Sequence, residues 1–339
     1  MTAVLLIISM TVLSLKVELK SDVAVNLEWI SQIILGTFNL EYIKGEYFYY
    51  YLINGLSFFV SEPEMLMFLI VLFMNSLLML ISCKLSYRYS NATFIFISLF
   101  STILVFPFLL RQSLSILIVL LLTLSVFRSR IYILVLFSSV FFHLSSFILF
   151  LSYIFFKYIK INPVFIFIAS VSGLLFLKLE YVVGFLEFLN LDIISTKLLY
   201  YSNMAENLDV VYDYYAIYNS FTILALVMLN PYSIANRSEP SSFILWLFFV
   251  SSALLLFTVN IPIMASRVGF LVVYLTPIFY ILFYKVKGKG GFIELVVFYT
   301  AFLCSFLIVV KRLFDYVYNE AWVKFDVSST GSLLFDFIL

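Results

Sequence analysis

Residues 128–160 read RSRIYILVLFSSVFFHLSSFILFLSYIFFKYIK, and how often this stretch crosses a bilayer decides the fold. From Ile131 to Phe156 it is a run of 26 residues without Asp, Glu, Lys or Arg. A helix needs about 20 apolar residues to span the hydrocarbon core. One long tilted crossing would fit, and so would two short ones. His143, Ser145 and Ser146 interrupt the run near its middle, and cations flank both ends. Lys and Arg collect in cytoplasmic loops. Cations at both feet therefore predict a hairpin of two spans, 131–142 and 145–156, with His143 at its outer tip.

Working outward, the same criterion predicts about eleven spans: 1–15, 65–83, 92–110, 112–127, 131–142, 145–156, 163–178, 219–230, 242–260, 268–284 and 292–310. Every second loop is then basic. Lys84, Arg88, Arg128, Arg130, Lys157, Lys160, Arg237, Lys285, Lys287 and Lys289 fall on one side, with Glu239 and Glu294 as its only carboxylates. Read as a single span, 131–156 would flip everything downstream and turn the lysine-rich 285–289 loop outward. The opposite side holds segments 16–64 and 180–218 and the tail 311–339. It carries the other seventeen of nineteen carboxylates and much of the tyrosine.

Composition agrees. Hydrophobic residues make up 64% of the 339 and charged residues 12%, with a mean hydropathy of +1.12. Soluble domains carry about 45–50% apolar and about 25% charged residues. A net charge of +1 gives no polyanion-binding signal, so no nucleic-acid partner is expected. Cys83 and Cys304 lie in apolar runs and read as packing residues, since two thiols make no disulfide framework. Met1–Leu15 lacks a basic start and a small-residue cleavage pattern, so it reads as a retained first span. With no internal repeat and no low-complexity linker, residues 1–339 form one all-α polytopic membrane domain.

The informative residues are those that break this pattern. Arg111, Arg267, Lys311 and Arg312 sit at the outer ends of spans, and His143, the only histidine, shares that depth. Ionisable groups at membrane depth are costly and are candidates for function. Arginine offers a planar fork of donors that grips phosphate oxygens bidentately, so several facing the outer leaflet suit a pyrophosphate. Histidine titrates near neutrality and suits a general base. The outer segments add tyrosine among carboxylates: Glu46, Tyr47 and Tyr50 in one, Tyr212, Asp213, Tyr214 and Tyr215 in the other. Rings cover the apolar faces of a sugar and oxygens meet its hydroxyls; an interfacial aromatic belt is the competing explanation. There is no HExxH, CxxC or GxSxG, and Gly288-Lys289-Gly290-Gly291 lacks the P-loop spacing. Neither a metal nor a cofactor is expected.

Arg111-Gln112-Ser113-Leu114-Ser115 opening an apolar helix, followed by Phe142-His143-Leu144-Ser145, resembles the EpsG-type branch of the Wzy polysaccharide polymerases. Glu46-Tyr47 with Tyr50, then Glu62-Pro63, match its upstream pattern, with Glu46 standing where the family has Asp. Arg267 followed by Tyr274 matches its late helix. The resemblance covers roughly residues 40–285 and implies a GT-C-like helical core. It implies polymerisation of undecaprenyl-pyrophosphate-linked oligosaccharide repeats on the outer face of the bacterial cytoplasmic membrane, without a nucleotide sugar. Arg111 and Arg267, with Arg312, would hold the pyrophosphate. His143 would be the base, with Glu62 or Asp213 as alternatives, and attack would invert the anomeric centre. Glu46, Tyr47, Tyr50, Gln112, Tyr212, Tyr214, Tyr215 and Tyr274 would meet the sugar. Lipid-linked oligosaccharides, membrane lipids and a chain-length regulator are the partners this implies. A flippase for lipid-linked sugar, or an O-antigen ligase, is the alternative reading.

Overall fold

The computed structural model describes residues 2–15, 22–40, 47–86, 89–99, 102, 110–129, 131–143, 146–159, 162–188, 214–260, 269–286 and 292–318. All regular structure among them is helical. In chain order the α-helices are α1 Thr2–Leu15, α2 Asp22–Ile34, α3 Tyr47–Ser57, α4 Pro63–Leu85, α5 Tyr89–Ser98, α6 Leu110–Val126, α7 Ile131–Ser139, α8 Phe147–Tyr158, α9 Pro163–Phe176, α10 Leu179–Phe188, α11 Tyr214–Leu229, α12 Pro240–Thr258, α13 Phe270–Tyr274, α14 Thr276–Val286 and α15 Phe292–Tyr318. A 3-10 helix, Pro231–Ile234, joins α11 to α12.

Local chemistry sets several of these starts. α4, α9 and α12 each begin with proline directly after the capping residue, where the missing N–H costs nothing and φ is already helical. Asn162 strengthens the start of α9 by accepting the Val164 N–H at 3.0 Å. Glu64 in the first turn of α4 and Lys84 in its last both complement the helix dipole.

Two helices organise the rest. α4 packs against α1, α2, α3, α5 and α6; α12 packs against α8, α9, α11, α13 and α14. α6 and α14 touch both and join the two groups. α4 and α12 are also, among the described residues, the two helices long and apolar enough to cross a membrane, and further shorter helices are apolar too. Their packing has the character of helices in lipid. Small polar side chains lie inside: Ser242, Ser251, Ser252 and Thr258 on α12 are buried. Large apolar ones face out: Phe292 is 80% exposed, Phe176 71% and Phe165 70%. Water-soluble surfaces rarely carry apolar stripes of this kind, whereas small residues at helix contacts are the rule in bilayers. Buried Gly173 shows how close one contact is. A Cβ placed there would stand 2.7 Å from the Phe257 Cα, so α9 and α12 cross backbone against side chain.

The 131–156 run is two helices, α7 and α8, packed on each other. One short loop proves that their feet lie together. The Arg237 guanidinium donates to the Phe156 and Ile159 carbonyls. The next two residues meet Arg128: its Nη2 lies 3.1 Å from Glu239 Oε1 and its Nε 3.4 Å from the Ser238 carbonyl. Residues 128 and 156–159 therefore share one end of the molecule, and His143 is at the other. Lys285 donating to the Leu85 carbonyl joins two more ends of the basic set. Asn230 donating to Glu294 Oε1 at 3.1 Å fastens α11 to α15 at its acidic start. The opposite ends meet one another in turn, with the Asn260 amide donating to the Leu174 and Leu177 carbonyls at 3.0 Å each.

Three expectations are corrected below, and segments 16–64 and 180–218 contain α2, α3 and most of α10. α2 is amphipathic and buries Ile30 and Ile33, which holds it on the bundle. Span 268–284 breaks at Leu275 into α13 and α14. The last helix runs past residue 310 to Tyr318, so Arg312 lies within α15 rather than after it. Cys83 is exposed and Cys304 half-buried, both as free thiols, so Cys83 does not pack inside.

Candidate functional site

Arg111 stands in the first turn of α6, at the end away from Arg128. Its guanidinium carbon lies over the Trp29 ring of α2, 4.6 Å from the centroid, and 5.9 Å from the Tyr49 ring centroid of α3. A cation over an aromatic face gains about 0.5–2 kcal/mol, more as water is excluded. The aromatic wall continues behind these rings. Trp29 meets Phe38 edge to face at 5.6 Å, and Phe38 stacks with Tyr50 at 6.1 Å. The helices missed in segment 16–64 thus supply the surroundings of the foremost candidate arginine.

The His143 turn is tied to the same place by two routes. On the α3 side, the Phe48 N–H donates to the Phe141 carbonyl at 3.1 Å. The Phe48 ring also packs against Phe141 and Phe142, at 5.4 and 5.5 Å. On the α6 side, Ser115 lies one helical turn below Arg111. Its hydroxyl donates to the Ser139 carbonyl at 3.1 Å and can accept from the Ser146 hydroxyl at 2.5 Å. Ser139 and Ser146 bracket His143, whose N–H donates to the Ser139 carbonyl at 3.3 Å and whose carbonyl accepts the Ser146 N–H at 2.9 Å. His143 itself is buried, with 7% of its surface exposed. Arg111 and His143, 32 positions apart in the chain, are therefore braced against each other by α3 and by Ser115.

Tyr49 faces Arg111 and follows Phe48, which is bonded to the Phe141 carbonyl. It is buried, and that burial pushes its phenol above the ordinary tyrosine range, while the nearby Arg111 charge acts the other way more weakly. The group is a neutral O–H donor.

The remaining expected residues divide. Tyr47 is exposed and Tyr50 half-buried on α3. Gln112 is buried within α6, because consecutive helical residues point about 100° apart and Arg111 occupies the outward direction. Glu62 is exposed as the N-cap of α4 and caps no backbone N–H. Tyr274 is half-buried at the end of α13, its carbonyl accepting from Thr102 at 2.6 Å. Glu46, Tyr212, Asp213 and Arg267 lie outside the described residues, and only the backbone of Tyr214, Tyr215 and Arg312 is described. Among the described residues no three His, Cys, Asp or Glu side chains converge on a metal position. Sequence reasoning missed Trp29 and Tyr49 as neighbours of Arg111. The signals available were a rare tryptophan on an amphipathic stretch and a tyrosine inside the 46–51 aromatic run.

An all-helical bundle with apolar outer stripes, small polar residues inside and a cation–aromatic site at one end is a helical membrane protein. The chain belongs to the EpsG family, whose model matches residues 3–325, and so to a polysaccharide-polymerase type of membrane protein. No curated protein and no solved structure matches it.

Proposed function

We propose that this protein is a membrane glycosyltransferase that joins undecaprenyl-pyrophosphate-linked oligosaccharide repeats on the outer face of the bacterial cytoplasmic membrane. About eleven spans around a GT-C-like core carry the site. The observation that carries the reading is the bracing of Arg111 against the His143 turn through α3 and Ser115. Phosphoryl leaving groups need fixed positive charge, and acceptor hydroxyls need a base nearby.

In the reaction, Arg111 holds the donor's pyrophosphate, with Arg267 and Arg312 as further cations. The bond between the anomeric carbon and the phosphate oxygen breaks, and its electron pair leaves on the lipid pyrophosphate. The acceptor hydroxyl attacks the opposite face, forming the glycosidic bond with inversion. His143 takes the hydroxyl proton. The tyrosine-rich outer segments meet the sugar: Tyr47 and Tyr50 with Glu46, Tyr212 to Tyr215, and Tyr274 on the late helix.

Arg111→Lys tests the reading. Lysine keeps the charge and loses the bidentate fork. One charge-assisted hydrogen bond is worth about 1.5–3 kcal/mol, so polymerisation should fall about ten- to hundredfold. Single-repeat product should still reach the cell surface, which a flippase defect would not allow. Near-normal polymer at normal protein level would remove the clamp.

A further inference from the structure

The buried hydroxyl of Tyr49 has no role in the chemistry above, and three observations give it one. Tyr49 is 1% exposed, and its hydroxyl meets no hydrogen-bond partner among the described residues. A buried donor left unanswered is costly, and each such group in a folded protein calls for an explanation. The charge beside it is the Arg111 guanidinium, over which the Tyr49 and Trp29 rings both lie. Finally, Tyr49 follows Phe48, whose N–H is bonded to the Phe141 carbonyl, so the phenol is held in fixed relation to the His143 turn.

We propose that the Tyr49 hydroxyl is a second donor to the anion that Arg111 binds, and that the acceptor is a phosphate oxygen of the lipid-linked diphosphate donor. The proposal rests on the reading of Arg111 as a phosphate clamp. A neutral phenol next to a guanidinium needs an acceptor, and the field of the arginine selects a negatively charged one. Phosphate oxygens accept from both groups at once and form charge-assisted bonds with each. The alternative phenol partners, another side chain or a carbonyl, are not within reach among the described residues. Trp29 backs the guanidinium from α2 and leaves the diphosphate to be met from the α3 side. Held by donors of two helices, it would lie at the end of the bundle that also carries the His143 turn.

The same chemistry could answer a phospholipid headgroup, so the test carries both. Full-length protein in phosphatidylcholine nanodiscs is titrated with undecaprenyl pyrophosphate and, separately, with phosphatidylglycerol. Tyr49→Phe deletes only the hydroxyl. The expected result is a Kd for undecaprenyl pyrophosphate about tenfold higher, the size of one lost hydrogen bond to a charged group. The ligand-free Tm should stay level or rise, since an unanswered donor has been removed from the interior. An equal loss toward phosphatidylglycerol would make the site a headgroup seat and overturn the proposal. A Kd rise with a fall in ligand-free Tm would make the hydroxyl structural and overturn it as well. An unchanged Kd in Tyr49→Phe, with a weakened one in Arg111→Lys, would overturn the tyrosine and spare the clamp. Unchanged affinity in both variants would remove the clamp, and this inference with it.

Discussion

Arg111 and Arg128 stand at opposite ends of α6, about 25 Å apart at about 1.5 Å per residue, and meet opposite surroundings. Arg128 is 74% exposed and reaches a carboxylate and a carbonyl of the 237–239 loop. Arg111 is half-buried against Trp29 and Tyr49, one helical turn from Ser115, which bonds to the residues bracketing His143. At the Arg128 end cations cap carbonyls and aromatic rings fill the interior: Phe127, Tyr132, Tyr153 and Phe243 lie within 6.3 Å of one another. At the Arg111 end a cation lies over rings; buried hydroxyls without a partner among the described residues occur at both ends, Tyr49 here and Ser242 near Glu239. On the function proposed above, the Arg128 end holds the helices together and the Arg111 end carries the chemistry.

The largest effects fall on the scaffold that both ends share. Gly173→Leu would drive a side chain into Phe257 and its backbone at the α9–α12 contact. Overpacking costs about 1–3 kcal/mol where neighbours can move, and here a main-chain atom stands in the way. Monodisperse protein recovered in detergent should fall to near zero. Recovery at wild-type level would mean that α9 and α12 can move apart without loss of the fold.

At the chemical end, His143→Ala should slow chain extension about 10²–10⁴-fold, the usual worth of a general base, with undecaprenyl-pyrophosphate binding intact. His143→Gln separates two roles, since an amide hydrogen-bonds but takes no proton at neutral pH. Activity restored by glutamine in a polymerisation assay would move the base to Glu62 or Asp213. Trp29→Leu should have a smaller effect, about three- to thirtyfold on polymerisation, from losing a cation–π contact of about 0.5–2 kcal/mol. Trp29→Phe should recover most of it, which a general packing defect would not allow.

The hairpin and its tip were legible because they are written in charge. Cations at 128–130 and 157–160 fix the feet, and His143 with two serines marks the turn. Arg111 was legible as a charge out of place. The helices that surround it were not. α2 and α3 are 13 and 11 residues long, and α2 carries Asp22 and Glu28, so the segment reads as a polar outer loop. Trp29 and Arg111 meet across 82 positions, and a cation–aromatic contact leaves no periodic trace in a sequence. The bonding of Ser115 to Ser139 and Ser146 was hidden for the same reason, although all three lie in or beside the two motifs.

The smallest expected effect is the sharpest control on the comparison. Arg128→Ala removes the same charge just past the other end of α6, the end read as closure. Its partner Glu239 is 44% exposed, and the pair is in reach of solvent. Exposed ion pairs contribute about 0–1 kcal/mol, because water screens the attraction and ordering two long side chains offsets much of the gain. Polymerisation should therefore stay within about twofold of wild type, while Arg111→Lys, which keeps its charge, loses about ten- to hundredfold. Removing a charge would then matter less than reshaping one. Should Arg128→Ala prove as damaging as Arg111→Lys at equal protein level, the two ends would be coupled. Activity would then depend on the 237–239 loop holding the feet of the hairpin, and the division into a closed end and a chemical end would fail.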